Sequence, residues 1–301
     1  LEIRIKNAAK KGTLASYGPT FDDIGLIATL ESAKNHPHYS APLAANQGRG
    51  LACGFWFNFG GNTCVSLNIN FDGTVGVVEG NPDIGGSRAS ISQMAAEELG
   101  IPLDRVRTVI ADTNSLGHND VTDGSRVTFA VGLATIKAAK AAKKEMCKRV
   151  AKLWRIDEDA VVWKNGYVYP AGPNAGDQEP LSFQEIAAMS AQTGGPIAGH
   201  HEVNAEGAGV SFGVHLVDLE VDPETGHTKV LRYTVFQDAG RAVHPSYVEG
   251  QMQGGSVQGI GWALNEEYVY STCGKMQNYG FLDYRIPVAS DLPMIDPVIL
   301  E

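Results

Sequence analysis

The chain has 301 residues, 43% of them hydrophobic, enough to bury a sizeable core and to divide into about two compact units. Its 34 acidic side chains against 24 basic ones give a formal charge of −10, which excludes a general binder of nucleic acid or of anionic membranes, because no basic patch overcomes that field. There is no run of about 18 apolar residues, and the amino end, LEIRIKNAAKKG, lacks the apolar stretch of a secretory signal, so a soluble cytoplasmic protein is expected.

Residues 1–44 hold a short amphipathic helix at about Ile24–Lys34 and read as an arm without a core of its own. In CVSLNINFDGTVGVVEG, two alternating apolar runs flank Asp72-Gly73, a two-residue hairpin signal. NPDIGGSRASISQ follows. Ser90 and Gln93 have the spacing of a capping box, Ile91, Met94 and Ala95 begin an apolar face that reaches Leu99, and Gly100 and Pro102 stop the helix. A start near Ser90 leaves Gly85, Gly86, Ser87 and Arg88 as the loop at the positive end of that helix. The loop is either a glycine turn with its cap or a place where amides, a hydroxyl and a guanidinium meet an anion.

ADTNSLGHNDVTDGSRVTFA is a polar run containing Thr113, with Gly124, Ser125, Arg126 and Thr128 at the start of a long Ala-rich helix. Two Gly-Ser-Arg elements, each at a helix start in an acidic chain, suggest a large anionic ligand. Lys137, Lys140, Lys143, Lys144, Lys148 and Arg149 read as the solvated face of the long helix. AVVWKNGYVYPAG is a small hairpin around Asn165-Gly166. GVHLVDLEVDPETGHTKVLRYTVF is a further hairpin, turning between Asp222 and Gly226, and it runs through Asp238-Ala239-Gly240 and Pro245 into a helix. The first hairpin runs through Asp83-Ile84-Gly85 into a helix in the same order. This repeat predicts an α+β fold: two similar units of mostly antiparallel sheet with helices packed on one face, at 45–170 and 171–301, preceded by the 1–44 arm.

The last helix, in HPSYVEGQMQGGSVQGIGWALNEE, places Gln251, Gly254, Gly255 and Gln258 on one face. Each interior glycine costs a helix about 1 kcal/mol relative to alanine, so something must approach this backbone closely. Tight packing on a sheet and a ligand with many hydrogen-bonding edges both answer that need. The four cysteines form no C-x-x-C pair, and Cys53 and Cys64 read as core thiols in a reducing compartment. The eight histidines show no metal-ligand spacing, and the neighbours His200 and His201 would face opposite sides of a strand, so no side chain is expected to ligate a metal. Neither a nucleophile elbow nor a P-loop is present.

The ordered set GRGLA, DIGGSRAS with AAEELGIP, ADT with DGSRVT, GVHLVDLEVDPETG, DAGRAVHP, GQMQGGSVQGIGWALNEE and LDYRIPVASDLP resembles the carboxy-terminal half of the molybdenum-binding subunit of the xanthine oxidase family of molybdenum hydroxylases. The family includes xanthine dehydrogenases, aldehyde oxidoreductases and carbon monoxide dehydrogenases, and the resemblance runs from about Gly48 to Pro293. It implies a molybdopterin cofactor with molybdenum, in the cytosine dinucleotide form, held by Gly85, Gly86, Ser87, Arg88, Ser90, Thr113, Gly124, Ser125, Arg126, Thr128, Gln251, Gly254 and Gly255. It also implies hydroxylation of an aldehyde, a purine or another N-heterocycle with water as oxygen source, and iron-sulfur and FAD partners that carry the electrons away. The rest of the molybdenum subunit, including an amino-terminal half, is expected as a further partner. Two departures stand out: the family's Gly-Val-Gly-Glu motif with its general-base glutamate is not found before the chain stops at DLPMIDPVILE, and the turn near the metal reads Gly-Gly-Ser rather than Gly-Gln-Gly. The catalytic residue is therefore unknown. These departures also support the alternative of a structural or assembly module that keeps the fold without binding cofactor.

Overall fold

The structure, a computed structural model, describes residues 1–207 and 209–301. In chain order it begins with helices α1 (Glu2–Lys6), α2 (Leu26–Asn35) and α3 (Pro37–Ser40), then strands β1 (Gln47–Asn58), β2 (Gly61–Ile69) and β3 (Val75–Glu79). Helix α4 (Ser87–Leu99), strand β4 (Val106–Ile110) and the long helix α5 (Val127–Trp154) follow. Next come strands β5 (Val161–Lys164), β6 (Tyr167–Pro170) and β7 (Leu181–Ser182), helices α6 (Phe183–Ala188) and α7 (Ser190–Thr193), and strand β8 (Ile197–Ala205). Strands β9 (Gly209–Val221) and β10 (Thr228–Asp238), helix α8 (Pro245–Leu264) and strand β11 (Ile295–Leu300) complete the order.

The chain divides into two compact units, Phe57–Ala208 and the pair of segments Leu1–Trp56 and Gly209–Glu301. In the first, the sheet order is β4-β3-β2-β8, with β2 antiparallel to both β3 and β8, and β3 parallel to β4. The β2–β3 hairpin turns at Asp72-Gly73 as expected: Gly73 has φ +78°, and Thr74 N donates to Asp72 Oδ1 at 2.9 Å. Val65, Leu67, Val75 and Val77 face a layer formed by α4 and α5. The fully buried alanines 130, 134, 138, 139 and 142 let α5 lie close to the sheet. At Gly199 in β8 a Cβ would run into the carbonyl of Ala138, so the helix approach itself requires glycine there. The expected solvated face of α5 needs correction at two positions. Lys143 is half-buried and pairs with Glu98 at 2.6 Å. Arg149 is buried, bonded to the carbonyls of Gly195 and Pro196 and to Glu145.

The second unit repeats the plan, with sheet order β1-β9-β10-β11, an antiparallel β9–β10 hairpin, α8 as the crossover and β11 parallel to β10. The sheets are mostly antiparallel, as expected, and each of these two carries one parallel pair, β3–β4 and β10–β11. A helix between two strands of one sheet permits a parallel return, which a tight turn does not. The amino-terminal arm docks here: Leu30 and Ala33 of α2 pack on Val214, Leu216 and Phe236. Arg49 in β1 holds Asp218 with two bonds of 2.7 and 2.8 Å, and His38 Nε2 lies 3.0 Å from the same carboxylate. Burial alone would push the Asp218 carboxyl up, but Arg49 and His38 outweigh it and hold it below the usual range. These contacts explain why the compact units do not follow boundaries at 44/45 and 170/171. The arm and β1 share a core with the carboxy-terminal segment, and β8 pairs with β2 rather than opening a new unit.

Candidate cofactor-binding site

Helix α4 begins at Ser87, not near Ser90, because Gly86 stands at its N-cap in the left-handed conformation, φ +79°, next to Gly85 at φ +68°. Ser90 is buried in the first turn, and no capping box with Gln93 forms. The anion at this helix end is the chain's own. Asp83 Oδ1 accepts from Ser87 Oγ at 3.4 Å and from Arg88 N at 3.2 Å, while Oδ2 lies 3.2 Å from Arg88 Nε. Gly85, Gly86, Ser87 and Arg88 are thus brought together as expected, yet Ser87 is buried and both Ser87 and Arg88 are engaged by Asp83. The sequence reading missed Glu79, the last residue of β3, which is fully buried where the turn begins. Its Oε2 accepts from Asn81 N at 2.6 Å and Oε1 has no hydrogen-bond partner among the described residues. Burial pushes its pKa up to about 7, with the nearby Asp83 adding to the shift and the Asn81 amide opposing it.

The second loop turns into α5 through two left-handed residues, Gly124 at φ +61° and Ser125 at φ +57°. Gly124 is obligatory on two counts, its backbone conformation and the Phe59 ring, which occupies the space a Cβ would take. Phe59 N donates to Gly124 O at 3.0 Å and Asn58 Nδ2 to Ser125 O at 2.9 Å, so both carbonyls are fixed from the strand side. Helix α5 has 28 residues and no side-chain cap, and Ser125 and Thr128 are exposed beside its first amides. Thr113 is exposed earlier in the same loop.

Arg126 does something different from what its motif suggested. It is 2% exposed, and its Nε donates to Gly60 O at 2.5 Å, Nη1 to Asp120 O at 3.0 Å and Val121 O at 3.4 Å, and Nη2 to Asn62 O at 2.9 Å and Thr63 Oγ1 at 2.5 Å. A guanidinium has five N–H groups, and all are engaged. Arg126 therefore ties the loop to β2 and has no donor left for a phosphate.

In the other unit, Met252, Ser256 and Ile260 turn α8 toward its sheet, while Gln251, Gly254, Gly255 and Gln258 are exposed on the opposite side. Beyond the chain neighbours and the helix's own backbone, no atom among the described residues lies within 4 Å of a Cβ built at Gly250, Gly254, Gly255 or Gly259. Packing on the unit's own sheet therefore does not account for these four glycines. The same unit has a cavity of about 990 Å³ between the start of β10, the end of α8 and residues 281–292. None of the expected cofactor residues lines it.

The donor sets that remain fit a pterin nucleotide. Uncapped amides with Ser125 and Thr128 suit a phosphate, and glutamine amides on a bare helix face suit the edges of a planar heterocycle. All four cysteines are free thiols, and no helix among the described residues is long and apolar enough to cross a membrane.

The sequence model of the molybdopterin cofactor-binding domain matches residues 29–293. The xanthine dehydrogenase molybdenum-binding subunit of Escherichia coli O157:H7 is 29% identical over 326 aligned residues, covering 100% of this chain and 42% of that protein. The 6-hydroxypseudooxynicotine dehydrogenase complex subunit gamma of Paenarthrobacter nicotinovorans is 32% identical, covering 78% of this chain and 30% of that one. Quinoline 2-oxidoreductase from Pseudomonas putida 86 shares the fold, with a TM-score of 0.86 at 21% identity over 100% of this chain and 42% of the solved one. The chain thus spans well under half the length of the curated relatives it matches. It belongs to the molybdopterin cofactor-binding domain family of the molybdenum hydroxylases.

Proposed function

We propose that this domain embraces the pterin and phosphates of a molybdopterin dinucleotide within a longer molybdenum hydroxylase. The substrate would be an aldehyde, a purine or another N-heterocycle, and iron-sulfur and FAD partners would receive the electrons. The observation that carries the proposal is the bare glycine and glutamine face of α8, which nothing else in its unit occupies. When bound, the cofactor supplies a metal that accepts two electrons from the substrate carbon while water provides the oxygen. The chain's own part is binding and orientation. Gln251 would hydrogen-bond a pterin edge, Gly254 and Gly255 would let the ring system lie against the helix backbone, and Ser125, Thr128 and the first amides of α5 would hold a phosphate. Gly85 and Gly86 would turn the chain toward the cofactor, with Asp83 keeping that turn in shape. Arg126 contributes at one remove, by fixing the loop that presents Ser125.

Gly254→Leu tests the proposal. The space at Gly254 is open and leucine is the better helix former, so the chain should fold as well as before or slightly better, by about 1 kcal/mol. Molybdenum content of the purified complex should nevertheless fall several-fold. Full molybdenum content in the variant would remove α8 from the site. The second reading, an assembly module that binds no cofactor, draws on Asp83 filling the α4 terminus and on the fully engaged Arg126. It predicts a well-folded native complex without molybdenum.

A further inference from the structure

The face of the β4-β3-β2-β8 sheet that points away from α4 and α5 carries a cluster that spacing along the chain conceals. In the β2–β8 register, Cys64 stands opposite Glu202 and Ser66 opposite His200. All four side chains share one face. His200 Nε2 lies 3.6 Å from Cys64 Sγ and 3.6 Å from Glu202 Oε1, and the three candidate ligand atoms are all within 4.8 Å of one another. Metal–sulfur bonds of about 2.3 Å and metal–nitrogen or metal–oxygen bonds of about 2.0–2.1 Å at tetrahedral angles place S and N about 3.5 Å apart and N and O about 3.3 Å apart. Both distances from His200 Nε2 are already near those edges. Ser66 Oγ lies 2.9 Å from His200 Nδ1, so with the ring proton on Nδ1 the lone pair of Nε2 faces the cluster. This is the arrangement that orients metal-bound imidazoles. Cys64 is buried against Gly117, and Asn119 Oδ1 accepts from its backbone N–H at 3.2 Å, whereas His200 and Glu202 reach solvent.

We propose that Cys64, His200 and Glu202 form a zinc site, with a water completing the tetrahedron on the open side. The mixed sulfur, nitrogen and oxygen donor set selects a borderline cation rather than magnesium or calcium, and three protein ligands with one solvent position is a recognised zinc arrangement. On binding, the Sγ–H bond breaks, the proton leaves to solvent and Sγ bonds to the metal, with no change in oxidation state. The ion joins β2 to β8 next to Gly117, and so steadies the 111–126 loop that leads into α5.

The test uses the purified native complex that contains this chain, dialysed against chelator and then against zinc alone. The zinc X-ray absorption edge is not obscured by molybdenum, iron or flavin. The expected result is one additional zinc per chain, with a single sulfur neighbour at about 2.3 Å and nitrogen or oxygen neighbours at about 2.0–2.1 Å. Cys64→Ser should remove the sulfur shell and the additional zinc. His200→Ala, at an exposed position where folding is not at risk, should also remove the zinc. Ser66→Ala leaves all three ligands in place but removes the hydrogen bond to His200 Nδ1, and should weaken zinc binding about 10- to 100-fold. No zinc above the chelated background, a zinc shell without sulfur, or zinc content unchanged in both Cys64→Ser and His200→Ala would overturn the assignment.

Discussion

Glu79→Gln is expected to flatten the pH dependence of stability. Glu79 is fully buried, with one carboxylate oxygen bonded to the Asn81 amide and the other without a hydrogen-bond partner among the described residues. Burial is the main cause that raises its pKa from 4.5 to about 7. A raised carboxyl pKa means that the folded state binds the proton more tightly than the unfolded chain does. Its stabilising contribution is therefore complete below about pH 4.5 and is lost as pH rises through about 7. At about 1.36 kcal/mol per pH unit the loss totals about 3 kcal/mol, most of it between pH 5 and pH 8. Glutamine keeps an acceptor for Asn81 N and carries no charge to desolvate. Urea unfolding of wild type and variant at pH 5 and pH 8 would measure the difference. The variant should gain about 2–3 kcal/mol on wild type between the two values. Parallel pH profiles would show that Glu79 stays ionised, and that the burial argument fails.

Arg126→Ala should destabilise the chain by about 3 kcal/mol in the same assay, since Gly60 O and Thr63 Oγ1 lose the guanidinium as donor, while Asn62 O and Asp120 O keep only Asp120 N and Asn81 Nδ2. Arg126→Lys should not restore this loss, because an ammonium cannot reproduce the planar fork; full stability in either variant would contradict the bracing role. Gly124→Ala combines a left-handed residue with a collision against Phe59 and should cost about 2–4 kcal/mol by urea midpoint, so a neutral result would refute the turn geometry. Ser182→Ala breaks the capping box with Glu185 at the start of α6 and should lower stability by about 1 kcal/mol, with no effect on molybdenum content.

What could be read in the sequence was what neighbouring residues decide. The turns at Asp72-Gly73, Asn165-Gly166 and Asp222–Gly226 are local, and each lies between strands of the expected hairpin. The repeat of hairpin, turn and helix was legible for the same reason. The α8 face could be placed from its period, but its exposure could not, because which side of a helix meets a sheet depends on β10 and β11. Pairing across long separations left no local trace. The β2–β8 register joins residues more than a hundred positions apart, and it alone brings Cys64, His200 and Glu202 together. Arg126 shows the opposite limit. Its motif marks the turn into α5, while burial decides that the guanidinium holds backbone rather than a ligand.

The central proposal, that this domain binds molybdopterin in its dinucleotide form, is tested most directly by metal and nucleotide analysis of the native complex. The account predicts molybdenum by mass spectrometry, close to one per chain, and CMP released from the cofactor by acid. A well-folded complex that contains the remainder of the subunit but no molybdenum would contradict it, and would leave the loops at Ser87–Arg88 and Ser125–Arg126 as architecture alone.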